Sequence, residues 1–503
     1  MRTIPLRVAA ALLLTSLLAG CFSDGSAGRG GARSEQRITV ALAVPPAQAL
    51  SPYSNDATVL SKLSVVEGLT RLDADGTAKP ALAVSWKQAD DTTWTFELRD
   101  AYFQDGTKVT AEAVANALAH ASDAEPAPRV LSDIELTAKA QDAHTVVLTT
   151  GTVDPVLPLR LASPALGILS PKAYGSNGAV SPIGAGTGPF KISKLSGKTQ
   201  AVLDRFDGYW GGKAKAAGID VSWIADGTAR ANALRGGSVD IAEWIPTSQA
   251  ELLAPGTLHE VPSTRTDSLL LNTGSGVFRD AAMRAAAREA VEPDALVDSV
   301  FGGYADAAQG LFGPAIPWTR DKHVTVQHVV KAATAEQVNQ QTGGTAITLA
   351  TYTNRTELPE VASVLQQQLE KAGFTVKQDV REYTQMEADL LAGKYDALVF
   401  SRVTLLDTGD PVAYLASDYT SKGSYNITRL AEPAVDRAIS AAAESGAGTR
   451  QDKVMAAEAA VLSTDAVVPL IHEKVLQGIS TDVEGAILDP RERSLVGLDT
   501  RLK

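Results

Sequence analysis

The chain is predicted to be an α/β protein made of several packed units, and three observations lead there. Residues 346–400 alternate strand and helix patterns, as a parallel sheet with covering helices does in sequence. Residues 94–98 place Trp94, Phe96 and Leu98 on either side of Thr95 and Glu97, the period-two pattern of a strand with one buried face. The chain has 503 residues, 45% of them hydrophobic and 21% charged. That is too much for one ordinary core and suggests about two to four domains. A formal net charge of −12 argues against nucleic acid as a partner.

In chain order, residues 1–20 begin with Arg2 and Arg7 and continue in an apolar run over 8–20. The run is shorter than the ~20 residues of a membrane-spanning helix and is expected to be a signal peptide. Cys21, the only cysteine, follows at once, so no intrachain disulfide can form. Residues 22–37, rich in Ser, Gly, Ala and Arg, read as a flexible tether of roughly 20 Å root-mean-square reach. A strand is expected over 38–42, a helix over 59–70 and a tight hairpin turn over 73–76. After the 94–98 strand come a short run at 101–103, a turn at Asp105-Gly106, and Thr110 as N-cap of a helix over 111–120.

The Gly-rich stretch 184–189 is followed by strand-like Phe190 to Ile192 and not by a helix, which favours a turn over a phosphate cradle. Residues 226–236 read as a helix, with a turn and strand after it. Farther on, 346–351 is a strand, and Pro359 opens a helix whose Val361, Val364, Leu365, Leu369 and Ala372 share one face. A strand over 374–378, a helix over 385–392 and a strand over 395–400 complete the alternation. Parallel sheets bind ligands beyond the carboxyl ends of their strands. That directs attention to the loop after Phe400, with Arg402, Thr404 and Asp407, and to Arg355 just beyond the 346–351 strand.

No enzymatic activity is expected, because no nucleophile, base and orienter set is recognisable. The six histidines show no metal-ligand spacing; His323 and His328 read as solvated surface residues. No metal or cofactor is expected. Asp407 suits an ammonium partner and Arg355 a carboxylate gripped by its planar fork, the alternatives being a turn-forming aspartate beside Gly409 and a solvated loop arginine.

The string from Ala83 to Ala113 resembles the fingerprint of bacterial extracellular solute-binding proteins of the peptide- and nickel-binding family, the receptors of ABC importers. Residues 186–192 with 205–211, then 271–273 with 278–280 and 310–318, then 395–439, resemble the same family in the same order. The resemblance implies a two-lobed periplasmic-binding-protein-like fold with a hinge and a small α+β domain inserted in the first lobe. Lobe I would comprise 38–70, 183–266 and 478–503, the insertion 71–182, and lobe II 267–477. Leu18-Ala19-Gly20-Cys21 resembles a bacterial lipobox, which implies that Cys21 is lipidated and the protein anchored outside the cytoplasm.

Asp407, four residues before Pro411, matches the aspartate that holds a peptide's α-ammonium in the peptide branch, and Arg355 matches that branch's carboxylate-binding arginine. The resemblance therefore implies a monomeric receptor that binds short peptides between two lobes and delivers them to a membrane permease. A nickel chelate or other small solute is the alternative. The nickel branch's histidine has no counterpart in 417–426, and its anchoring arginine finds only Arg160 nearby.

Overall fold

A computed structural model describes residues 36–125, 127–175, 178–405 and 408–503. Its first strands are β1 (Arg37–Leu42), the short hairpin β2 (Thr70–Leu72) and β3 (Ala78–Pro80), then β4 (Ala83–Gln88), β5 (Thr93–Leu98), β6 (Leu136–Ala140) and β7 (Thr145–Thr150). They are followed by β8 (Phe190–Ser196), β9 (Gln200–Arg205), β10 (Gly218–Trp223), β11 (Ile241–Ala242) and the long β12 (Leu258–Leu271). Then come β13 (Ala305–Ala307), β14 (Ile347–Tyr352), β15 (Val376–Arg381), β16 (Ala397–Val403) and the long β17 (Val467–Ile479), and a short closing pair, β18 (Val483–Glu484) with β19 (Arg501–Leu502).

Eleven strands form one sheet in the order β15-β14-β16-β12-β17-β11-β1-β10-β9-β8, with β13 beside β17. Its two halves are the two lobes of an α/β fold, joined by the antiparallel pair β12 and β17. In one half, Ile479 pairs with Ile241 and Leu258 with Gly478; in the other, Leu271 pairs with Ala397. Register shifts between Pro262 and Thr266, and between Asp267 and Ser268, interrupt the β12–β17 ladder where it passes from one half to the other.

Each half has its own core. Ile38, Val40, Leu42, Phe190 and Leu203 are buried in the first, where β1 lies parallel to both β10 and β11. In the second, β14 lies parallel to β15 and β16, and helix Leu358–Lys371 buries Val361, Leu365 and Leu369 against them. A separate antiparallel sheet, β4-β5-β7-β6, packs with helix Ala111–Ser122 around Phe96, Phe103, Val114 and Val146. There the 94–98 alternation holds, with Trp94, Phe96 and Leu98 all buried, and the Thr110 hydroxyl accepts the Ala113 N–H at 3.2 Å as the expected cap.

Three expectations are corrected. The helix proposed over 59–70 ends at Lys62, as Ala57–Lys62, because Ser64 takes a left-handed φ of 51° and the chain then runs extended. Backbone packs closely on that extended stretch: a Cβ on Gly186 would lie 2.2 Å from the Val65 carbonyl oxygen, and one on Gly188 2.1 Å from that of Ser64. The glycines at 186 and 188 thus permit close backbone approach. The helix over 385–392 is shorter, a single 3-10 turn followed by Glu387–Leu391. His328 is not simply solvated, since its Nδ1 lies 2.9 Å from buried Asp465. Among the described residues, no helix is long and apolar enough to cross a membrane.

Candidate functional site

A cavity of about 540 Å3 opens between helix Ala57–Lys62, the β2–β3 hairpin, the inserted domain at Ser163 to Gly167, and the segment 487–498. Its volume is that of a small-molecule site. Glu67 lies in its wall between the helix and β2. Tyr209 donates its hydroxyl to the Glu67 carboxylate at 2.8 Å and the Trp210 indole N–H does so at 3.1 Å. Arg99 stacks 3.5 Å over the Trp210 ring and fixes it from behind. Burial pushes the Glu67 carboxyl up to about 7, and the Tyr209 and Trp210 donors limit the rise.

The hairpin supplies Thr70, Arg71, Leu72 and Asp73. Thr70 is buried and gives its hydroxyl to the Pro158 carbonyl, while Arg71, on the opposite face of the strand, is exposed. Segment 487–498 forms the facing wall. Asp489 accepts the backbone N–H groups of Arg491 and Arg493 at 3.0 and 2.8 Å, which folds the segment into a tight loop. From that loop Arg491 reaches the carbonyls of Asp73 and Ala74 at 2.8 and 3.0 Å and clamps the hairpin tip. The second lobe meets the rim at Gly409, where an added Cβ would lie 2.5 Å from Leu72 Cδ1.

Among the residues singled out from sequence, Asp407 and Cys21 lie outside the described residues. Arg355 does stand beyond the end of β14, but its Nε bonds Glu357 at 2.7 Å and its Nη2 bonds Glu473. Arg402 is engaged with Asp418 through two hydrogen bonds of 2.8 Å and lies 4.6 Å from the centre of the Tyr425 ring. Thr404 is fully buried, and its hydroxyl and its N–H both donate to the Thr264 carbonyl. In this conformation Thr404 therefore presents no group to the cavity. Asp410 caps helix Pro411–Tyr419 and takes two bonds from buried Arg450. Arg160, nearest to the nickel branch's arginine, is buried between Asp133 and Asp154.

Behind Arg355 lies a buried acid pair. Asp267 on β12 is fully buried, with neither carboxylate oxygen bonded to a donor, and Glu473 on β17 accepts from Ser401 at 2.5 Å. Burial and the Glu473 charge push Asp267 well above the usual carboxylate range. Arg355 and Arg265 outweigh burial at Glu473 and hold it below its own.

The cavity's key groups, Glu67, Arg71, Tyr209 and Arg491, were not picked out from sequence. One signal was available: Glu67 is a lone carboxylate in the otherwise apolar run Val65-Val66-Glu67-Gly68-Leu69, and such a charge needs partners supplied from elsewhere.

Residues 77–426 match the family described as bacterial extracellular solute-binding proteins, family 5 Middle. The chain belongs to this family. Relatives in the family include the nickel-binding protein NikA of Staphylococcus aureus, 28% identical over 431 residues and 84% of each chain. The glutathione-binding protein GsiB of Escherichia coli K12 is 30% identical over 354 residues, covering 68% of this chain and 69% of GsiB. Among solved structures, the unliganded open form of MppA, a periplasmic murein tripeptide-binding protein, superposes with a TM-score of 0.76 at 20% identity, over 93% of this chain and 97% of MppA. As a family 5 protein, the chain is a substrate-binding receptor of the peptide and nickel ABC-importer type, in a family of transport proteins that are not enzymes.

Proposed function

We propose that the chain captures short peptides in the 540 Å3 cavity and delivers them to a membrane permease, held at the outer face of the cell membrane by lipid on Cys21. The observation that carries this reading is the cavity of ligand size, with mixed polar and apolar walls, at whose rim Gly409 of the second lobe meets Leu72 of the first. The crossing strands, irregular between Pro262 and Ser268, are the hinge on which the lobes close. In this reading Asp407 receives the peptide ammonium, and bridging waters let side chains vary.

A metal chelate is the second reading. It is favoured by the nickel-binding relative matched over 84% of the chain. Among the described residues no group of three or more His, Cys, Asp or Glu is arranged to hold a metal ion, so a metal would arrive inside its own chelator.

The test is native mass spectrometry of protein purified from its own host, with small-angle scattering before and after ligand release. A retained short peptide and an expansion on its removal are expected. A retained nickel complex would replace the first reading with the second. A ligand-free protein whose radius of gyration ignores both a tripeptide library and nickel–histidine would refute the receptor reading.

A further inference from the structure

We propose that the solute carries an anionic group and that Arg71 is the residue that selects for it. The inference rests on the reading that the cavity is the solute site, and it names the chemistry of one end of that solute.

Arg71 sits on β2 between Thr70, which is buried, and Leu72; it is itself exposed and lines the cavity. Its charge acts on the Tyr209 hydroxyl across that wall. Among the described residues no side-chain hydrogen bond or ion pair engages its guanidinium. The other charged groups near it are committed. Asp73 accepts from Thr77 and lies 3.2 Å from Lys79, and Glu67 is taken by Tyr209 and Trp210. Asp489 is bound by backbone N–H groups, Arg491 clamps the hairpin carbonyls, and Arg99 is stacked on Trp210.

A guanidinium is a rigid fork of five donors with no acceptor, matched to a carboxylate or phosphate. Arg355 could accept an anion only by loosening Glu357 or uncovering buried Glu473. Arg71 gives up no internal partner. Arg493, which also lines the cavity, is likewise engaged, and Ser61, Ser163 and Ser494 are uncharged, which leaves Arg71 as the uncommitted charge.

The experiment compares two tripeptide libraries, one with free C-termini and one with C-terminal amides, against wild type and the variants Arg71→Gln, Arg355→Gln and Ser163→Trp. Affinities are read by calorimetry and by depletion of the library. The wild type should prefer free acids about tenfold, the mark of one charge-assisted contact. Arg71→Gln should bind both libraries alike, whereas Arg355→Gln should keep the preference. Ser163→Trp, which fills the cavity, should bind neither. If Arg71→Gln keeps the preference while Ser163→Trp abolishes binding, the inference fails and the cavity reading stands. If Ser163→Trp, shown folded by circular dichroism, binds like wild type, the cavity reading fails and the inference with it. A wild type that binds neither library, or both equally, also overturns the inference.

Discussion

Replacing Asp267 by asparagine should stabilise the protein, and more so at neutral than at acidic pH. Asp267 faces Glu473 on β17, Ser401 on β16 and the charge of Arg355, with Arg265 beyond Glu473. With neither oxygen bonded to a donor, the pair is satisfied only when Asp267 holds a proton and donates it to Glu473. The unfolded chain gives up that proton near pH ~4, but the folded chain retains it to higher pH. In the window between, the folded state binds more protons, so stability is greatest below the unfolded value and falls as pH rises, by about 1.4 kcal/mol per unit.

Asparagine has nearly the shape of the protonated acid, donates a hydrogen bond at every pH and has no proton to lose. The advantage of Asp267→Asn over wild type should therefore widen between pH 5 and pH 7. Urea unfolding at both pH values and constant ionic strength measures it. Because the proton belongs to the pair, Glu473→Gln should behave differently: it removes the partner of Arg355 and should destabilise at both. An asparagine variant that is less stable than wild type by the same amount at pH 5 and pH 7 would refute the shared-proton account.

Three further outcomes are expected. Glu67, raised to about 7, should make the Trp210 fluorescence titrate with a midpoint near that pH, and Glu67→Gln should remove the titration; it should also flatten the loss of stability between the ordinary carboxyl range and about pH 7. Gly188→Ala drives a Cβ to 2.1 Å from the Ser64 carbonyl oxygen and should lower unfolding free energy by about 1 to 3 kcal/mol or more in denaturant titration. Cys21→Ala should release the protein from membranes in fractionation with its unfolding transition unchanged, since the lipid proposed on Cys21 is what would hold it there and the described buried core begins only at Ile38.

The legible parts of the fold were those whose pattern is local. The Trp94, Phe96 and Leu98 alternation, the Thr110 cap and the one-faced helix from Pro359 each depend on a few neighbouring residues, and each stands as expected. The helix over 59–70 failed because Ser64 turns left-handed and Ser64 and Val65 pack against residues 186–188, a contact that no local window contains. The same reason hid the site. Glu67 meets Tyr209 and Trp210 across 142 and 143 residues, and Arg491 meets Asp73 across 418. Conversely, Arg355 and Arg402 read as available because nothing nearby in sequence warned that Glu473 and Asp418 would claim them.

The clamp of Arg491 on the hairpin has a consequence for how the protein is made. Three walls of the cavity come from residues before 210, but the fourth, 487–498, is synthesised only after the whole second lobe. A chain interrupted anywhere in between contains every strand of the inserted sheet but lacks this wall. On the proposed reading of this cavity as the solute site, solute capture requires that synthesis has run through both lobes.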